Sequence, residues 1–220
     1  MSGEVGAALP RLLAATAPLT LARVPAGFLP WLAADVARAA YATGNGARAV
    51  IVAADEAAMR ALADTVPVFA PEVEVLSLPA WDCLPYDRAS PALRVMAERL
   101  AALHALQAPV KGPQLLVVTA NALAQRVLTP FRVRQLTRRL AAGERVERDA
   151  LVKLLVANGY HRTDAVHDAG EFAVRGSIVD VFPAGEASAL RLDFFGDEIE
   201  TMRRFDPADQ RTTGAEQRSR

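Results

Sequence analysis

The chain has 220 residues, with 25 Lys+Arg balanced by 25 Asp+Glu, 52% hydrophobic residues and 23% charged residues. This is globular composition, long enough for one large or two small domains, and its zero net charge excludes a binder held to nucleic acid by bulk positive charge. The single cysteine, Cys83, excludes an internal disulfide framework and a thiolate zinc cluster, and the three histidines, His104, His161 and His167, are scattered.

The N-terminal segment carries Glu4 and no basic n-region, and no charge-free apolar run reaches about 18 residues. The expectation is a cytoplasmic protein with no membrane contact. Basic charge is almost all arginine, Lys111 and Lys153 being the lysines. It is also unevenly placed. Between Glu98 and Glu144 there is no acid, yet Arg99, Lys111, Arg126, Arg132, Arg134, Arg138 and Arg139 fall there.

Helix and strand signals alternate in the first half. Residues 28–43 read as a helix stopped by Gly44-Asn45-Gly46. The β-branched run at 48–53 reads as a buried parallel strand. A helix over 55–66 carries acids in its first turn, and 73–78 is the next strand. Ser90 as N-cap and Pro91 at the first helical position open a helix to about residue 107. Residues 115–119 form a third strand, followed by a short helix from Ala120. This alternation specifies an α/β layer on a parallel sheet.

The second half reads as an α+β module. A helix at 147–157 ends at Asn158-Gly159, a left-handed stop. Short strands follow at 171–176, 177–182, 190–195 and 198–205, with turns at Pro183-Ala184-Gly185 and Gly196-Asp197. The polar stretch 206–220 reads as linker or tail. The boundaries are therefore an α/β domain at 1–133, an α+β domain at 134–213 and a tail at 214–220.

Catalytic patterns are missing. A phosphate loop needs glycines whose backbone N–H groups cradle phosphates, then lysine and a hydroxyl residue. Residues 24–30 (VPAGFLP) have one glycine, no lysine and two prolines, and no GxGxxG occurs. Cys83 lies among Asp82 and Asp87, the wrong setting for a nucleophilic thiolate, so it reads as structural. His161, Asp164, His167 and Asp168 lack the spacing of a zinc site. No catalytic, cofactor or metal residue is assigned.

Three stretches are more specific. The first, after the second strand, contains Trp81, Asp82, Leu84, Pro85, Tyr86, Asp87, Ser90 and Pro91. The second contains Gly143, Arg148, Asp149, Leu151, Leu155, Gly159, Tyr160, Asp164, Val166, Gly170, Glu171, Ala173, Arg175, Gly176, Ile178, Asp180, Phe182 and Pro183. The third contains Arg191, Asp193, Phe194, Phe195, Asp197, Glu198, Ile199, Arg203 or Arg204, Phe205, Asp206, Gln210 and Arg211. Together they resemble the N-terminal UvrB-like module of bacterial transcription-repair coupling factors, over about residues 20–213. Cys83 stands where that family usually has glutamate. UvrB shares the second and third stretches, but has a working phosphate loop that residues 24–30 lack.

The resemblance implies a degenerate P-loop-like parallel-sheet domain followed by a UvrB-interaction-like α+β domain. It implies a non-catalytic module that recruits UvrA in transcription-coupled nucleotide excision repair. The ATP and magnesium of the intact family, and its RNA polymerase and DNA contacts, belong to domains outside these residues. The alternative is a fragment of an ATP-dependent helicase-like or UvrB-type DNA-binding enzyme. By resemblance, Arg162, Phe172 and Arg175 are the UvrA contacts. Arginine and aromatic side chains are the usual interface anchors, though Phe172 could equally be core. Gly176 is read as allowing close backbone approach beside Arg175. Arg132, Arg134, Arg138 and Arg139 are candidate DNA-facing residues, with a solvated face the favoured reading because no aromatic ladder interleaves them.

Overall fold

The computed structural model describes residues 17–84, 86, 88, 90–183, 186 and 188–218, together with 12, 14 and 15. Pro85 and Asp87 of the first motif, and Ala184 and Gly185 of the expected turn, lie outside the described residues, as does Glu4. The chain divides into two compact units, one of residues 1–81 and 105–127, the other of residues 82–104 and 128–220.

The first unit holds a three-stranded parallel sheet. A 3-10 turn at Ala26–Phe28 leads into α1 (Leu29–Ala42), followed by β1 (Ala49–Ala53), α2 (Glu56–Phe69), β2 (Glu74–Leu78), β3 (Gln114–Thr119) and α4 (Ala120–Ala124), while α3 (Leu93–Ala105) lies in the other unit. The strand order is β1-β3-β2. Asp55 caps α2 by accepting from the Ala58 N–H at 2.8 Å, and Thr119 caps α4 by accepting from the Ala122 N–H at 3.2 Å. Buried Ala33, Ala34 and Ala37 let α1 pack closely on the sheet around Met59, Leu62, Val66, Leu115 and Val117. At the strand starts, Arg48 Nε donates to the Gln114 side-chain oxygen, and Gln114 Nε2 donates to Glu74 Oε2 at 2.6 Å.

Residues 24–30 run into α1, whose first two residues are Leu29 and Pro30, and among the described residues no strand comes before them. The strand–loop–helix setting that a phosphate loop requires is therefore not seen there.

The second unit contains α3 (Leu93–Ala105), α5 (Pro130–Leu136), α6 (Arg148–Ala157) and strands β4 (His161–Arg162), β5 (Glu171–Arg175), β6 (Ile178–Val181), β7 (Ala189–Phe195), β8 (Glu198–Phe205) and β9 (Thr212–Arg218). These six strands form one sheet in sequence order, antiparallel except for the parallel β4–β5 pair. One sheet face and α6 enclose Leu151, Leu155, Phe172, Val179, Val181, Leu192, Phe194 and Ile199. A smaller cluster joins Val166, Ala173, Ala189 and Phe205 on the other side of the strands, with Phe182 against it.

Three differences from the sequence reading have local causes. Residues 212–218 are a strand and not a tail. Asp206 organises the connection, with its Oδ1 accepting from the Ala208 N–H at 2.8 Å and its own N–H donating to the Arg211 carbonyl at 2.9 Å. An edge strand needs one partner only, so β9 forms without an apolar alternation. The α3 helix starts at Leu93 and belongs to the second unit, where the side chain of Leu93 lies beside Gly170. Its entry is organised by Asp82, whose carboxylate accepts from the Ala92 N–H at 3.2 and 3.3 Å, in the place expected of Ser90. Thr129-Pro130 opens α5, a helix the sequence reading did not contain, with Thr129 Oγ1 accepting from the Arg132 N–H at 3.4 Å.

Candidate functional site

Alternation along β5, β6 and β7 sorts their side chains onto two faces. Phe172, Val179, Val181, Leu192 and Phe194 turn to the α6 core. On the other face, strand register sets Ala173, Asp180, Arg191 and Arg203 in one row, and Arg175 lies one pair further on, opposite Ile178. A carboxylate is thus placed among arginines.

Asp180 is completely buried. Arg191 Nε donates to its Oδ1 at 2.7 Å and Arg191 Nη2 donates to its Oδ2 at 2.9 Å. Arg175 Nη2 donates to the same Oδ2. The Arg191 guanidinium also lies over the Phe205 ring, 4.7 Å from its centroid. Hydrogen bonding to Asp180 raises the Arg191 pKa, burial opposes this, and the Asp180 charge adds to the rise. Two guanidinium groups against one carboxylate leave this cluster of three side chains with one excess positive charge. The Arg175 side chain remains 48% exposed.

Arg162, on the short edge strand β4, is exposed. It and Arg175 line one open depression of about 390 Å³, together with Thr163, Asp164 and Val174. The structure therefore brings together two of the three expected contact residues. Such a site can receive carboxylates or other oxyanions through guanidinium N–H groups. Among the described residues it contains no nucleophile paired with a base.

Phe172 is not part of it. Its side chain is fully buried, opposite Val181 in the register and inside the α6 core. Its apolar ring is needed where the sheet meets the helix, so it offers no exposed aromatic contact. The Gly176 reading also changes. A Cβ built there would meet nothing within 4 Å, whereas φ is +62°. Gly176 is the first residue of the two-residue turn between β5 and β6, and the left-handed backbone explains it better than close approach does.

The segment before the site is also fixed electrostatically. Burial pushes the Glu171 pKa up, but the backbone N–H groups of His167 and Asp168 donate to its Oε2 at 2.8 and 3.1 Å. With the charges of His167 and His161 added, its pKa falls below the ordinary value. His161, Asp164, His167 and Asp168 do not converge, and no group of three or more metal-ligating side chains occurs among the described residues.

The arginine-rich stretch is dispersed. Arg99 is 2% exposed and burial lowers its pKa, so it contributes nothing to a surface. Arg132, Arg134, Arg138 and Arg139 are exposed on and after α5. Arg132 donates to Gln135 Oε1 at 2.8 Å, and Arg138 pairs with Glu144 at 3.1 Å. Cys83 is half-buried and not in a disulfide. No described helix is long and apolar enough to cross a membrane.

Asp180 and Arg191 are the residues that sequence reasoning passed over as contributors to this site. The available signal was a lone carboxylate inside the apolar strand Ile178-Val179-Asp180-Val181. A charge at that position requires a partner.

Residues 139–220 match the UvrB interaction domain family. A transcription-repair-coupling factor of Myxococcus xanthus is 42% identical over 174 residues, covering 76% of this chain and 14% of that protein. The Escherichia coli protein of the same name is 37% identical over 163 residues, covering 74% of this chain and 14% of its own length. The Mycobacterium bovis protein of that name is 39% identical over 142 residues, covering 63% and 12%. The chain thus spans about one seventh of the length of the first of these relatives.

Proposed function

We propose, from the premise that this chain belongs with the transcription-repair-coupling factors and carries a UvrB interaction domain over residues 139–220, that it is a docking module for UvrA. One observation carries the reading: the arginine-lined depression at Arg162 and Arg175 lies inside the matched domain. A pair of arginines with exposed guanidinium groups suits attachment to a folded, carboxylate-bearing protein surface. In this reading the module delivers excision-repair proteins to stalled transcription. In the same reading, nucleotide hydrolysis, translocation and polymerase contacts are not functions of these 220 residues.

The test is capture of purified UvrA by the immobilised 220-residue chain. Retention that weakens on Arg162→Ala and Arg175→Ala supports the reading. Failure to retain UvrA under conditions where a full-length relative does so overturns it.

A further inference from the structure

Arg175 sits at the last position of β5, against the Gly176-Ser177 turn, where a long side chain with several rotatable bonds would ordinarily sample many rotamers. Here one of its nitrogens is tied to Asp180 Oδ2. That oxygen is itself fixed, because Arg191 grips both oxygens of the same carboxylate. Arg191 is in turn held over Phe205 and reaches the Gln210 carbonyl at 3.5 Å. Gln210 is anchored through its Nε2 to the Val166 carbonyl at 2.8 Å. A continuous chain of contacts therefore runs from the β8–β9 connection to the guanidinium that lines the depression.

The gradient of exposure along this chain is informative. Asp180 is wholly buried, Arg191 is 21% exposed and Arg175 is 48% exposed. A guanidinium carries five N–H donors. Among the described residues Arg175 bonds only to Asp180, so donors remain on its exposed side. If Asp180 served only to neutralise Arg191, the bidentate pair alone would satisfy both. The additional bond to Arg175 has a different consequence: it selects one rotamer of the exposed arginine.

We propose that Asp180, clamped by Arg191, is a positioning residue that holds Arg175 in its docking orientation. The inference rests on the reading of this face as the UvrA site. The clamp means that rotamer freedom is surrendered during folding and not during association, so binding is strengthened by preorganisation. Arg191 acts one step further back, through the carboxylate.

The experiment is a double-mutant cycle in the 220-residue chain, with purified UvrA as the probe and thermal unfolding measured for every variant. Asp180→Asn keeps the side-chain shape and removes the charge. It is expected to weaken UvrA binding about fivefold or more when Arg175 is present, and by less than about twofold in an Arg175→Ala background. Arg191→Lys keeps the charge but loses the fork, and should show the same dependence on Arg175 in a milder form. This second cycle decides the matter if Asp180→Asn does not fold.

Equal losses with and without Arg175 would make Asp180 a structural residue only and would overturn the proposal. So would failure of both Asp180→Asn and Arg191→Lys to fold, since the pair would then serve the fold itself. If Arg175→Ala binds UvrA as well as the unaltered chain does, the docking reading falls first. If Arg175→Ala weakens binding but the cycle is additive, docking stands and only the positioning role falls.

Discussion

Arg191 stands directly across the β6–β7 ladder from Asp180 and donates to both oxygens of its carboxylate. The pair lies on the face of the sheet opposite the α6 core, in an otherwise expensive place for a charge. Its cost is offset by bidentate geometry, by the second arginine and by the Phe205 ring.

Replacing Arg191 by leucine is therefore expected to destabilise the second unit. Asp180 would keep Arg175 as its only described side-chain donor, and the contact with Phe205 would lose its electrostatic part. The expected loss is about 2–4 kcal/mol, read as a lower urea midpoint with unchanged slope. A loss within about 0.5 kcal/mol would show that the pair is no more important than an exposed ion pair.

Acid stability should report on Glu171. Burial raises its pKa, but the His167 and Asp168 N–H groups and the two histidine charges outweigh that, leaving it below the ordinary 4.5. A carboxyl with a depressed folded pKa stabilises the fold above its unfolded pKa, and that contribution disappears as pH falls through the folded value. The thermal midpoint should drop as pH is lowered below 4.5, and Glu171→Gln should flatten part of that drop while lowering the midpoint at neutral pH. An unchanged acid profile in the variant would remove Glu171 from the account.

Duplex DNA should not bind to the arginines around α5 at physiological ionic strength. Arg138 is paired with Glu144, Arg132 is engaged by Gln135, and Arg99 is buried. A gel-shift titration at about 0.15 M salt checks this. A salt-sensitive shift abolished by Arg132→Ala and Arg139→Ala would establish a nucleic-acid surface instead.

Asp82→Ala should loosen the start of α3 by about 1 kcal/mol or less, the scale of a lost capping interaction, whereas Ser90→Ala should be nearly neutral. The Asp82 carboxylate is what meets the Ala92 N–H. The reverse order of effects, measured by denaturant unfolding, would return the capping role to Ser90.

Most elements could be read in advance because local chemistry and tertiary packing agree on them. Asp55 before α2 and Gly159 after α6 mark helix ends in the sequence and do so in the fold. The run Ala49–Ala53 is a parallel strand as its composition suggests, but it pairs with β3 alone, at the sheet edge, and leaves Val50 and Val52 exposed, so it is not buried on both faces. Where the sequence was silent, the cause was usually distance along the chain. Residues Thr212–Arg218 have no apolar alternation, because an edge strand is held by main-chain bonds to β8. The side chain that ties down the residue before α3 comes from ten positions away. The site was half legible. Arg162 and Arg175 could be named from the sequence, but not that they line one depression, and Phe172 is claimed by the core, a choice that strand alternation alone could not make without knowing which face α6 covers.

The turn at Gly176 discriminates by handedness. Its φ of +62° is unfavourable for an L residue, yet the space where a side chain would begin is empty within 4 Å. Chirality and volume are thus separated at this one position. L-alanine there carries a backbone penalty despite having room. Its mirror image, D-alanine, introduced by chemical ligation, would adopt this conformation without that penalty and would restrict the unfolded chain more than glycine does. The β5–β6 hairpin, with Arg175 at its edge, could in this way be stiffened without altering any natural contact.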